Sequence, residues 1–98
     1  MKARTLGKLK IGHGHKTVII AEIADSHNGS METAKKLVDA VASAGADVAK
    51  FQLHLPDVEM VPFSIQMWDG PLYYILKRNL FTPEMHAEIK AYCEKVGI

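Results

Sequence analysis

The sequence predicts an α/β fold built on a parallel strand–helix–strand unit, and three observations carry the prediction. The run "TVIIAEI", residues 17–23, is apolar throughout except for Glu22, and it does not alternate. Such a run marks a strand buried on both faces of a parallel sheet. The stretch "SMETAKKLVDAVASAG", residues 30–45, repeats its apolar residues at helical spacing. "ADVAKFQ" follows at once as a second short strand. Short joints between a strand, a helix and a strand make a right-handed parallel unit.

Before that unit comes a turn-rich lead-in, "TLGKLKIGHGHK", residues 5–16. Gly12 and Gly14 favour a tight reversal there, which predicts a small hairpin. His13 and His15 do not complete a metal site by themselves and read as a polar turn. In the first helix Met31, Ala34, Leu37, Val38, Val41 and Ala42 form the apolar face. Ser30 is placed to cap its start, Glu32 suits the positive end of its dipole, and Gly45 suits a left-handed stop. Residues 53–72 read as a long irregular loop broken by Pro56, Pro62, Gly70 and Pro71. "LYYILKRN" reads as a short helix. "TPEMHAEIKAYCEKVG" is a clear helix, with Thr82 as cap, Pro83 at the first helical position and Gly97 as stop. Its buried stripe is Ile89, Tyr92, Cys93 and Val96.

Bulk properties narrow the function classes. A chain of 98 residues holds one domain at most. A hydrophobic share of 48% with 23% charged residues is ordinary for a soluble globular protein. A net charge of +1 with interspersed signs argues against a nucleic-acid or anionic-membrane partner. Lys2, Arg4, Lys8 and Lys10 make a basic but solvated start. The lone Cys93 excludes an internal disulfide and reads as a core thiol in a reducing compartment. No apolar run reaches the ~18 residues needed to cross a bilayer, and no signal peptide is evident, so a cytoplasmic location is expected. Two parallel strands with two helices leave open sheet edges. The chain is therefore expected to be the N-terminal piece of a longer protein, or to complete its sheet with partners.

Ligands in open parallel sheets bind at the carboxyl ends of the strands. The first strand ends near Glu22 and runs into Asp25-Ser26-His27-Asn28-Gly29, and the second ends in Lys50, Phe51, Gln52, with His54 just beyond. Neighbouring strands lie ~4.8 Å apart, so Glu22 and Lys50 are candidates to face one pocket. Lys50 is a point charge suited to phosphate or carboxylate, and Gln52, on the same strand face, can donate to the same anion. Glu22 can orient a water, accept a sugar hydroxyl or take a proton. The first N–H groups of the helix after Ser30 can hold an anion as well. "SHNGS" is neither a Walker loop nor a dinucleotide fingerprint. Plainer readings stand beside these: a snorkelling Lys50, a structural Glu22–Lys50 ion pair, an Asn28-Gly29 turn and a packing His27. Trp68, Tyr73 and Tyr74 either wall a sugar pocket or pack their loop on the rim.

The segment "VIIAEIADSHNGSMETAKKLVDAVASAGADVAKFQ" closely resembles the opening of the sialic acid synthase family. The shared pattern is an apolar strand, Ala-Glu-Ile-Gly, two residues, His-Asn-Gly, an amphipathic helix, Ala-Gly-Ala-Asp and a strand closing in Lys-x-Gln. "LKIGHGHKTVIIAEI" and "FTPEMHAEIKAYCEKVGI" fit as well, so the resemblance covers nearly the whole chain, loosely over residues 55–80. It implies the N-terminal portion of a TIM barrel, about two β/α units after a hairpin-like lead-in, with residues 1–98 a partial domain. The implied reaction condenses phosphoenolpyruvate with an N-acylated hexosamine, an aldehyde sugar, to give a nonulosonic acid and phosphate. On matched positions Lys50 and Gln52 would hold phosphoenolpyruvate, Glu22 would be the catalytic residue, and His27 and Asn28 would shape the first loop of the pocket. A divalent cation, manganese or magnesium, is implied for the full-length enzyme with its ligands outside this chain, and a homodimer when full length. The segment alone is expected to be inactive. This chain departs from the pattern at Ala24-Asp25-Ser26 and at Leu53, both in the implied pocket, so its sugar need not be N-acetylmannosamine. The competing readings are an aldolase-type or phosphosugar barrel enzyme and a non-catalytic truncated homologue.

Overall fold

The computed structural model describes residues 2–63 and 65–98. Strand β1 (Arg4–Leu6) pairs antiparallel with β2 (Leu9–Ile11), Leu6 opposite Leu9. The hairpin closes at Gly7, whose φ of 56° is left-handed, and not at Gly12 and Gly14 as the glycine content suggested. A tight connection needs a positive φ at its first central residue, and Gly7 supplies it between two strands that pair side by side. Gly12 serves the exit instead, where a Cβ would come within 3.0 Å of the Ala3 backbone.

The central unit is β3 (Ile20–Ala24), α1 (Met31–Ser43) and β4 (Val48–Phe51), with β3 and β4 parallel. Helix α1 starts on Ser30, whose Oγ accepts from the Thr33 N–H at 3.2 Å. It ends on Gly45 at φ 82°, with the Gly45 and Ala46 N–H groups donating to the Ala42 and Val41 carbonyls at 3.1 and 3.2 Å. Asp47 then joins the two strand starts: it accepts from the Ile19 N–H at 2.9 Å and from Lys16 Nζ at 2.6 Å. Those two donors, the backbone one first, hold its carboxyl below the ordinary range.

The strand expectation needs a correction. Ile19 and Ile20 are half exposed, and Ile23 is the buried residue of β3. Among the described residues β3 and β4 form a sheet of two, so only the face under α1 is covered. That covered core is Ile23, Ala34, Val38, Phe81 and Ile89.

The expected loop over 53–72 holds short elements. These are α2 (Pro56–Glu59) and a small hairpin of β5 (Gln66–Met67) with β6 (Gly70–Pro71); Ser64 of that stretch lies outside the described residues. Two helices follow, α3 (Leu72–Arg78) and α4 (Pro83–Val96). Thr82 Oγ1 caps α4 by accepting from the Met85 N–H at 3.2 Å, and Gly97 ends it at φ 92°. Helix α4 packs along α1, with Lys35–Glu88 at 2.8 Å and Tyr92 donating to Asp39 at 2.7 Å on the rim. Cys93 is half-buried against the core, and burial pushes its thiol up, away from the reactive thiolate. Among the described residues no helix is long and apolar enough to cross a membrane.

Candidate functional site

The parallel register sets Glu22 directly beside Lys50. Because side chains alternate along a strand, Glu22 and Lys50 stand on the open face while Ile23 turns under α1. Lys50 Nζ lies 3.5 Å from Glu22 Oε2, and Gln52 Nε2 donates to Glu22 Oε1 at 3.4 Å. One carboxylate thus meets a cation and an amide. Both charged side chains remain substantially open, Lys50 at 61% and Glu22 at 43%, so their mutual attraction is screened and an anion can compete for Lys50.

Just after Glu22 the ladder slips, and Ala24 instead of Ile23 pairs with Phe51. Ala24 takes φ 52°, a left-handed value that suits glycine and is strained for alanine. The chain then makes consecutive tight turns: the N–H groups of Ser26, Asn28 and Ser30 each donate at 3.0 Å to the carbonyls of Ile23, Asp25 and His27. Asn28, at φ 52°, is left-handed like Gly29 after it at φ 80°, and the Asn28 side chain is exposed. At Gly29 a Cβ would sit 3.2 Å from the Arg78 carbonyl oxygen, so the loop presses on the end of α3.

His27 does not line the open face. It is only 1% exposed and stacks on Phe81 with ring centroids 3.8 Å apart. Its Nδ1 accepts from the Gly29 N–H at 2.9 Å, so the neutral ring carries its hydrogen on Nε2. That Nε2 lacks a hydrogen-bond partner; Asp25 Oδ1 is 4.0 Å away. Burial lowers the His27 pKa, Asp25 opposes that shift, and His86 adds to it. The ring is thus a neutral internal brace of the loop.

Three residues outside the expected set complete the polar cluster. His54 Nε2 lies 3.0 Å from Gln52 Oε1 and 3.1 Å from Asp25 Oδ2, and His54 Nδ1 lies 3.0 Å from Glu59 Oε2. Glu59 also accepts from the Leu55 N–H at 3.0 Å. That N–H, followed by His54, holds the Glu59 carboxyl below its ordinary range. His54 had a signal in the sequence, since residues 50, 52 and 54 continue one strand-face alternation. Glu59 had none, because it depends on α2. Asp57, Tyr73 and Lys77 form a separate tie between α2 and α3: Tyr73 donates to Asp57, and Lys77 Nζ lies 3.2 Å from it.

An apolar groove of about 760 Å³ runs between the β1–β2 hairpin, β4 and α4, lined by Leu6, Val48, Phe51, Ile89 and Cys93 among others. Glu22, Lys50 and Gln52 do not line it, and the reactive groups gather at the strand ends instead. Among the described residues no group of three or more His, Cys, Asp or Glu side chains is arranged to hold a metal ion.

No protein-family model matches the chain. It is 34% identical over 96 residues to the N-acetylneuraminate-9-phosphate synthase of Homo sapiens, covering 90% of this chain and 26% of that protein. It is 36% identical over 91 residues to the pseudaminic acid synthase of Campylobacter jejuni, covering 85% of this chain and 26% of that one. The crystal structure of an N-acetylneuraminic acid (sialic acid) synthetase from Leptospira borgpetersenii, in complex with citrate, matches with a TM-score of 0.81 at 27% identity. That match covers 99% of this chain and 32% of the synthetase. The chain therefore spans 26% of the length of the curated relatives just named.

Proposed function

The chain belongs to the sialic acid synthase family, and from that premise we propose that the whole protein condenses phosphoenolpyruvate with an N-acylated hexosamine to give a nonulosonic acid and phosphate. The observation that carries the reading is the meeting of Glu22, Lys50 and Gln52 at the carboxyl ends of two parallel strands. In the same reading residues 1–98 are the opening of an eight-stranded TIM barrel, with α1 and α4 on its outer layer. Two of eight strands do not close a barrel, so the segment alone is inactive.

Phosphoenolpyruvate carries two anionic groups, and Lys50 supplies the nearby positive charge. Gln52 offers its amide N–H to the same anion or holds Glu22 in place. In the condensation the methylene carbon of phosphoenolpyruvate bonds to the sugar aldehyde carbon, whose oxygen takes up a proton; water adds to the phosphate-bearing carbon and gives one up, and the C–O bond to phosphate then breaks. Glu22 orients that water and accepts its proton. His27 braces the first loop from inside, and Asn28 turns it. The divalent cation implied by the resemblance finds no ligand set among the described residues, so no step here passes through it.

The test is phosphate release from phosphoenolpyruvate by the whole protein, supplied with a panel of hexosamines and a divalent cation. Sugar-dependent release is expected for at least one N-acylated member. Absence of release across the panel would overturn the synthase reading.

A further inference from the structure

The polar cluster contains a histidine that none of the roles above uses. We propose that His54 is a positioning residue, which fixes the amide of Gln52 so that its NH₂ group faces Glu22. The proposal rests on the reading of Glu22 and Gln52 as part of the substrate site.

An amide has a donating end and an accepting end, and its neighbours decide which way it points. Gln52 Oε1 meets His54 Nε2 at 3.0 Å, while Gln52 Nε2 meets Glu22 Oε1 at 3.4 Å. The Asp25 carboxylate, 3.1 Å from the same Nε2, calls for a hydrogen on that nitrogen, so a turned-over amide would set its NH₂ against an N–H and its oxygen against a carboxylate. Both contacts repel, so one orientation is selected. Without the histidine the near end of the amide loses its restraint, and the Glu22 contact, already long, is weakly defended.

His54 is itself held from two further sides. Asp25 Oδ2 lies 3.1 Å from the same Nε2, and Glu59 Oε2 lies 3.0 Å from Nδ1. These partners come from different segments: Asp25 from the loop after β3, Gln52 from the end of β4, and Glu59 from α2. Glu59 is anchored in turn by the Leu55 N–H. Behind the ring lies a small cleft lined by Asn79, Phe81 and His86. The side chain is three-quarters covered, at 25% exposure, which fits a brace more than a group that meets substrate.

The Gln52 side-chain amide pair in the ¹H–¹⁵N spectrum of the protein reads the restraint without any turnover. In His54→Phe, which keeps a flat ring but no N–H, the pair is expected to shift. In His54→Gln, which carries an N–H to about the position of Nε2, it is expected to return toward its wild-type place. An unmoved pair in His54→Phe would overturn the proposal. Should that variant fail to fold, Asp25→Asn, which loosens the ring without removing it, is read against the same criterion. In the whole protein, kcat of His54→Phe is expected to fall by up to about 100-fold with a small change in KM for phosphoenolpyruvate, and to recover in His54→Gln. An unchanged kcat in His54→Phe would also overturn it. A wild-type protein that releases no phosphate removes the synthase reading, yet the amide resonances still judge His54.

Discussion

Ala24 shows most plainly how a single residue carries tension in this molecule. Its φ of 52° lies where an L side chain crowds the following carbonyl, at a cost of roughly 1–2 kcal/mol. The position is not arbitrary: there the ladder slips past Ile23, and the turn toward His27 begins. The resemblance had marked Ala24 as a departure from a glycine pattern, and the backbone explains the glycine. Ala24→Gly relieves the strain but adds freedom to the unfolded chain, so a net gain of about 0.5–1 kcal/mol is expected. Urea unfolding of the two proteins measures it, and a less stable glycine variant would contradict the strain. His27 illustrates what a motif letter hides. Its spacing after Glu22 is visible in the sequence, but its direction is set by Phe81, more than 50 residues away, against which it stacks.

At the scale of elements, the long helices were legible because each signal was local. Apolar spacing, Ser30 or Thr82 at the start and Gly45 or Gly97 at the end all act within a few residues. The short elements between Pro56 and Pro71 were not legible, because tertiary contacts select them. Helix α2 is one turn long, held by Glu59 at its own start and by Asp57 against Tyr73 and Lys77 of α3. Nothing in "LPDVEM" announces those partners. Asp47 joins elements in the same manner, tying the start of β3 to the start of β4. Its folded-state pKa is lowered, so the tie contributes stability above the ordinary carboxylate range near ~3.9 and loses it as pH falls through the lower folded value. Acid unfolding followed by circular dichroism is expected to show Asp47→Asn already less stable than wild type at neutral pH. The gap should narrow as pH drops below about 4. A gap that stays constant down to the acid transition would contradict a charge-based tie.

For the whole molecule, the site was readable to the extent that strand periodicity and parallel order carried it. Those two rules brought Glu22, Lys50 and Gln52 to one end of one sheet, and the register pairs Glu22 with Lys50. They set Asp25 and His54 near that end but revealed neither Glu59 nor the contacts that join the three, since these depend on where the loop after β4 folds back. The half-exposed Ile19 and Ile20, and the apolar groove beside β4, belong to the same level of organisation. They are surfaces that a larger barrel would cover in the proposed architecture. The central claim is that the Glu22–Lys50–Gln52 end of this sheet receives phosphoenolpyruvate. Its most direct test is calorimetric titration of phosphoenolpyruvate into the whole protein, wild type against Lys50→Ala. Loss of one charge-assisted hydrogen bond, about 1.5–3 kcal/mol, predicts a Kd raised roughly 10- to 100-fold. An unchanged Kd in Lys50→Ala would contradict the claim.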